Sequence, residues 1–396
     1  MDEKLRAVGF TPLMKMHVFI SDGKVQRLRC YCFTWITLFA RLRVDILMDL
    51  VQYLSLFKLK LMGVPSVLVD MPVPSQLLGL DLIWGAGFRS IQINSNKFVR
   101  ELLKMHYKDS GTKSNKVPVD PTFKFSKDDV LIDNGDLSNA DKAMQSAYRT
   151  IVGVAIFLVT MCRVDISYAT TQLARYISKP GYRHYRAASF LLSYFSGAVD
   201  LGIAFYSSGS RRINAYVDSD FGSDESRKAC AVFILANGPI RWKYAFSKEV
   251  PLSTCEAEVR IVSAMVEPIK DCICIDKVFD SLGLGEEYRK GSVKVHSSID
   301  STAITPLVVY DNQAAIAWSS NPVLSQKMRH VDRGLMYVRQ EIVKKTFSLV
   351  WVETANQIAD MFTKALVALV FWRFVNMIMI SAERYREENE IEGEKK

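Results

Sequence analysis

Residues 201–366 constrain the fold more than any other stretch, because short apolar runs alternate there with turn signals and helical periods. Ile203–Tyr206 and Ile213–Val217 read as strands on either side of Ser207-Ser208-Gly209-Ser210. Ala229–Ala236 and Ile240–Ala245 read as two more, joined at Asn237-Gly238. Asn-Gly favours a two-residue hairpin turn because both central positions take positive φ. Ser253–Leu282 carries helical spacing with Pro268 in its interior. A proline there costs ~3 kcal/mol or more unless the helix kinks. Leu307–Tyr310 is a short apolar strand leading into a helix at Asn312. His330–Lys344 is helical, Phe347–Val352 a strand, and Ala355–Lys364 a helix. Consecutive strands followed by alternating helix and strand predict an α/β fold with a mixed sheet covered by helices.

The first half reads differently. Residues 1–90 mix apolar and basic residues without a steady period. Val44–Leu61 fits a helix that Pro65, Pro72 and Pro74 would end. Ile91–Ile93 fits a short strand. Lys97–His106 is amphipathic, with Phe98, Leu102 and Met105 on one face. Residues 107–140 are polar and turn-rich, as a linker or extended loop is. Asp141–Met161 and Asp165–Ser178 carry helical spacing, and Pro180 and Gly181 separate them from a helix over Tyr182–Gly197. The tail from Ala382 is charged and reads as solvated and frayed.

With 396 residues the chain has room for two or three domains. Lys and Arg number 51 against 42 Asp and Glu, a net charge of +9, which suits an anionic partner such as nucleic acid. Seven scattered cysteines build no disulfide scaffold. They read as reduced thiols of an intracellular protein, and the first residues show no secretory signal. Cys30–Ala40 is too short for a membrane span, which needs ~20 residues. Ala365–Ala382 is long enough but carries Arg373 and Asn376 at its middle. A central Arg costs ~3 kcal/mol on insertion. A buried or membrane-surface helix is therefore expected, with a span as the lesser option.

Five carboxylates stand at the ends or starts of these elements: Asp218, Glu256, Glu258, Asp311 and Asp360. Carboxylates converging on one crevice can hold two hard divalent cations such as Mg²⁺ ~3.5–4 Å apart. An Asp after a strand is ordinarily a turn residue or a helix cap, so the residues alone leave both readings open. Glu258 shares a helix face with Ile261, Val262 and Met265, the side that packs on a sheet. Glu256 lines up with Arg260, Ser263 and Glu267 on a wetter face. Asp218 and Asp220 point the same way in an extended strand. Asp360 shares its face with Asn356, Gln357 and Lys364, toward solvent or a site.

Six segments, in this order, resemble the end of the Pol polyprotein of copia-type retrotransposons: YRTIVGVAIFLVTMCRVDISYAT, AYVDSDFGSDESRKAC, WKYAFSKEVPLSTCEAEV, VVYDNQAAIAWSSNP, RHVDRGLMYVRQ and VETANQIADMFTKAL. The resemblance covers roughly Arg89 to Leu366. It implies a C-terminal ribonuclease H domain, a five-stranded mixed sheet with helices on both faces. It puts the family's four metal-binding carboxylates on Asp218, Glu258, Asp311 and Asp360, holding two Mg²⁺ or Mn²⁺ ions, with an RNA–DNA hybrid as substrate and no small-molecule cofactor. His330 would be a proton shuttle or a structural residue. Arg227, Lys228, Trp242 and Lys243 are candidates for the hybrid backbone, with Trp242 also suited to the core.

The family's upstream module is a reverse transcriptase with paired aspartates on a hairpin. Here the one Asp-Asp pair, Asp128-Asp129, falls in the polar loop. Met1–Thr11 resembles the family just before that hairpin and Arg89–His106 well after it. Residues 12–88 between them match nothing in it, as a frameshifted or rearranged stretch would. No polymerase activity is expected. The chain thus divides into a degenerate reverse-transcriptase remnant (1–106, α+β), a linker (107–140), a helical connection region (141–200), a ribonuclease H-like domain (201–366), and an apolar helix with a charged tail (367–396). The alternative is a catalytically inactive relic that at most binds nucleic acid.

Overall fold

A computed structural model describes residues 75–77, 79–85, 89–107, 113–130, 138–206, 212–220, 227–247, 270, 307–311, 313 and 333–394. They form a mixed α/β structure with two five-stranded sheets. The first sheet is antiparallel throughout. Its order is β1 (Gln76–Leu77), β2 (Leu80–Trp84), β3 (Ser90–Asn94), β4 (Leu201–Tyr206) and β10 (Ile380–Ser381). Strand periodicity sorts its side chains. Ile91, Ile93, Ile203 and Phe205 join the main core on one face. Ala204, Ile380 and Tyr385 form a small cluster on the other.

Helices cover the first face. α1 (Asn96–His106) buries Val99 and Leu102. α2 (Asn139–Met161) buries Tyr148, Ile151, Val152, Ala155 and Leu158 along one stripe. α3 (Ser167–Ala174) and α4 (Tyr182–Gly197) complete the layer. α2 begins two residues before the expected Asp141 because Ser138 caps it. The Ser138 Oγ accepts from the Asp141 amide and the Asp141 carboxylate accepts from the Ser138 amide, both at 3.1 Å.

The second sheet has the order β7 (Gly238–Ser247), β6 (Arg227–Leu235), β5 (Asn214–Asp220), β8 (Leu307–Tyr310), β9 (Ser348–Trp351). β5, β6 and β7 run antiparallel, whereas β8 lies parallel to both β5 and β9. Parallel neighbours need a crossover, and α5 (Arg333–Val343) lies on the one between β8 and β9. The β6–β7 turn is Ala236-Asn237, one residue ahead of the expected Asn-Gly, with φ of 56° and 67°. The two sheets share one core. The Tyr206 amide donates to the Ala236 carbonyl at 3.0 Å, and the Trp242 indole donates to the Val159 carbonyl at 2.8 Å.

Several expectations change. Leu201–Tyr206 pairs with β3 and not with the C-terminal sheet, so the second sheet begins at β5. Within residues 12–88, β1 and β2 are regular strands, and Leu80 and Leu82 are buried. Met105 is 62% exposed and does not join Leu102 in the core. Part of the polar linker packs, with Val117 and Val119 buried and the Trp372 indole donating to the Lys116 carbonyl at 2.7 Å. The expected apolar helix is only α7 (Ala368–Ile378). Its 11 residues are too few to cross a bilayer, and Phe371, Phe374, Val375 and Ile378 are buried in the protein. α2 is long and apolar enough to span, but its buried stripe faces the core. The tail is not frayed: α8 (Ala382–Glu394) buries Tyr385, whose hydroxyl donates to Ser90 at 2.8 Å. Val44–Leu61, Cys30–Ala40, Ser253–Leu282 apart from Lys270, and His330 lie outside the described residues.

Candidate metal centre

β5 and β8 set the site. Tyr216 pairs with Val309 in parallel register, and Asp311, just past the end of β8, comes close to Asp218 on the neighbouring β5. Asp218 lies within β5, whereas Asp311 follows the last residue of β8. The Asp311 backbone is held from β9, where the Trp351 indole donates to its carbonyl at 3.1 Å. The third carboxylate arrives from α6 (Asp360–Thr363). A single helix over Ala355–Lys364 does not form. Thr354–Asn356 is a 3₁₀ turn, and Gln357 is extended before α6 starts. Gln357 is fully buried and clamps this break to the strand. Its amide nitrogen donates to the Val217 carbonyl at 3.0 Å, and its amide oxygen accepts from the Ala359 backbone at 3.3 Å.

Asp218, Asp311 and Asp360 therefore converge, each offering an oxygen within 4.8 Å of the others. Asp218 and Asp360 are buried and Asp311 is half-buried. The Thr363 hydroxyl donates to Asp218 at 2.5 Å. Lys364 donates to Asp360 at 2.9 Å and stands 3.8 Å from Asp218. Burial, and then the Asp218 charge, push Asp360 up to about 7. The same two causes raise Asp311. Burial opposes the charge on Lys364, but Asp218 and Asp360 outweigh it and hold its pKa above the ordinary value. Beneath the site, the Cys230 thiol donates to the Ala359 carbonyl at 3.1 Å, and burial followed by the Asp218 charge raises its pKa well above the ordinary value.

Three acidic oxygens this close, largely out of water, repel one another and are relieved by a cation. Their hard-oxygen donor set can hold a metal ion.

Glu256 and Glu258 lie outside the described residues. Asp220, Arg227 and Lys228 lie on β5 and β6, but only their backbone is described. Trp242 is half-buried against α2 and Lys243 is half-buried. Asp128 and Asp129 sit in a single 3₁₀ turn, where Asp129 pairs with Arg183 at 3.1 Å. Thr363 escaped the sequence reading, and Gln357 and Lys364 were read only as sharing the face of Asp360, with no part in the site. A Lys four residues after an acidic helix residue was the available signal.

No protein-family model matches the chain, and no solved structure matches it. It is 26% identical over 301 residues to the Retrovirus-related Pol polyprotein from transposon TNT 1-94 of Nicotiana tabacum, covering 74% of this chain and 21% of that protein. It is 28% identical over 234 residues to the Retrovirus-related Pol polyprotein from transposon RE2 of Arabidopsis thaliana, covering 58% of this chain and 15% of that protein. A shorter match, 29% identical over 119 residues, is to the Secreted RxLR effector protein 161 of Plasmopara viticola, covering 29% of this chain and 84% of that protein. The chain spans about a fifth or less of the Pol polyproteins it matches. With six ordered segments and these matches together, the chain is a relative of the copia-type retrotransposon Pol polyproteins, corresponding to a fragment of them.

Proposed function

We propose that the second sheet is a ribonuclease H-like domain that hydrolyses the RNA strand of an RNA–DNA hybrid. The observation that carries this reading is the convergence of Asp218, Asp311 and Asp360 from two parallel strands and a later helix. The strand order β7-β6-β5-β8-β9 supports it as well. Asp218, Asp311 and Asp360 would hold the metal, with Glu258 as the fourth ligand. Mg²⁺ in such a site lowers the pKa of bound water and neutralises charge on the scissile phosphate. The chain itself orients the carboxylates. Thr363 fixes Asp218 by its hydroxyl, Gln357 ties α6 to β5, and Trp351 holds the turn at Asp311. The net charge of +9 suits a polyanionic substrate. The domain acts without polymerase chemistry.

The test is incubation of the full chain with an end-labelled RNA–DNA hybrid in Mg²⁺. Cleavage of the RNA strand alone is expected, and Glu258→Gln should abolish it while Glu256→Gln leaves it nearly unchanged. A hybrid left intact by the wild-type chain would overturn the enzyme reading and leave the inactive relic.

A further inference from the structure

Lys364 occupies an unusual position for a lysine one residue beyond a helix. Its ammonium donates to Asp360 at 2.9 Å and lies 3.8 Å from Asp218, bridging two of the three carboxylates. The side chain is 39% exposed, so part of it reaches solvent although the ammonium contacts two acids. A divalent ion held by the same oxygens sits ~2.1 Å from each of them if it is Mg²⁺. It would then lie within a few ångströms of the ammonium, where repulsion between cations is strong. The two therefore compete for the same carboxylates. The flexible four-carbon stem, partly exposed, lets the ammonium move away.

We propose that Lys364 is a tethered cation that competes with the divalent metal: it neutralises the carboxylates when no metal is bound and swings outward when one binds. This rests on reading the three aspartates as a metal site. Such a device keeps crowded acids from opening the fold, and it sets a threshold of metal concentration for loading.

The experiment is titration of the full chain with Mn²⁺, followed by calorimetry and by electron paramagnetic resonance of free Mn²⁺, alongside melting in EDTA. Lys364→Met removes the charge and keeps the stem. It should bind Mn²⁺ roughly tenfold or more tightly and melt several degrees lower in EDTA. Lys364→Arg keeps the fold's counter-charge and adds a planar fork that grips carboxylates in two places. It should hold its melting temperature and bind Mn²⁺ more weakly than wild type. Removal of general positive charge does not predict that opposite shift. If wild type binds Mn²⁺ and Lys364→Met binds it equally or less tightly, the competition is wrong while the metal site stands. An Arg variant that binds more tightly than wild type also contradicts it. If neither wild type nor Lys364→Met binds Mn²⁺ at millimolar concentration, the proposal and the metal reading fall together.

Discussion

Arg163 carries a full charge into the centre of the helical layer with no exposure at all. Asp165 meets it with two hydrogen bonds, at 2.9 and 2.7 Å, and also accepts from the Tyr194 hydroxyl at 2.8 Å. The Phe195 ring lies 5.1 Å from the guanidinium. Removing one partner of such a pair strands the other charge in an apolar setting. Asp165→Ala should cost about 3–5 kcal/mol by denaturant unfolding. Arg163→Met combined with Asp165→Leu should recover much of that loss, because it removes both charges. An Asp165→Ala variant as stable as wild type would show that the pair is dispensable. At this scale the sequence was partly legible. Asp311 stands just past its strand as read, while Asp218 lies within β5 and is singled out from Asp220 by the family resemblance alone. Asp360 was read as facing solvent or a site, and it is buried among the site's carboxylates, although the helix used to phase it is broken at Gln357. Lys364 still reaches it, since α6 keeps the four-residue spacing.

Elements formed from local signals were readable. Tyr182–Gly197 and Leu307–Tyr310 have the expected bounds, and the β6–β7 hairpin forms with its turn one residue earlier and its strands running on to Arg227 and Ser247. α2 shows why the start of a helix needs its cap. Ser138 lies before the apolar stripe, and its hydroxyl satisfies an otherwise unpaired amide. Ser138→Ala should lower stability by about 1 kcal/mol, measured by thermal unfolding. No change would mean that Tyr182, which donates to Asp141 at 2.6 Å, holds the terminus instead. Long-range pairing was not readable. β10 joins β4 across about half the chain, and the buried Gln92 amide donates to the Ile380 carbonyl at 2.8 Å. Nothing in the short apolar run Met377–Ile380 announces that partner. The same holds for β4, whose apolar run suits either sheet and whose pairing with β3 alone decides between them.

Across the whole molecule, the crowded carboxylates make stability depend on pH and on metal together. Asp360 titrates near 7 in the folded chain and near 3.8 when unfolded. Between those values the folded state binds more protons, so its stability falls as pH rises through the window and levels off above about 7. In EDTA, the melting temperature of wild type relative to Asp360→Asn should therefore drop from pH 5 to pH 7.5. An unchanged difference would mean that Asp360 ionises normally. Metal should reverse the trend, since it binds the ionised carboxylates and stabilises the fold by mass action. The central claim is that three aspartates from separate elements form one cation site, and ion binding tests it most directly. Mn²⁺ titration at pH 7.5 should give tight binding by wild type, weakened roughly tenfold or more in each of Asp218→Asn, Asp311→Asn and Asp360→Asn. Equal binding by wild type and all three variants would contradict the account.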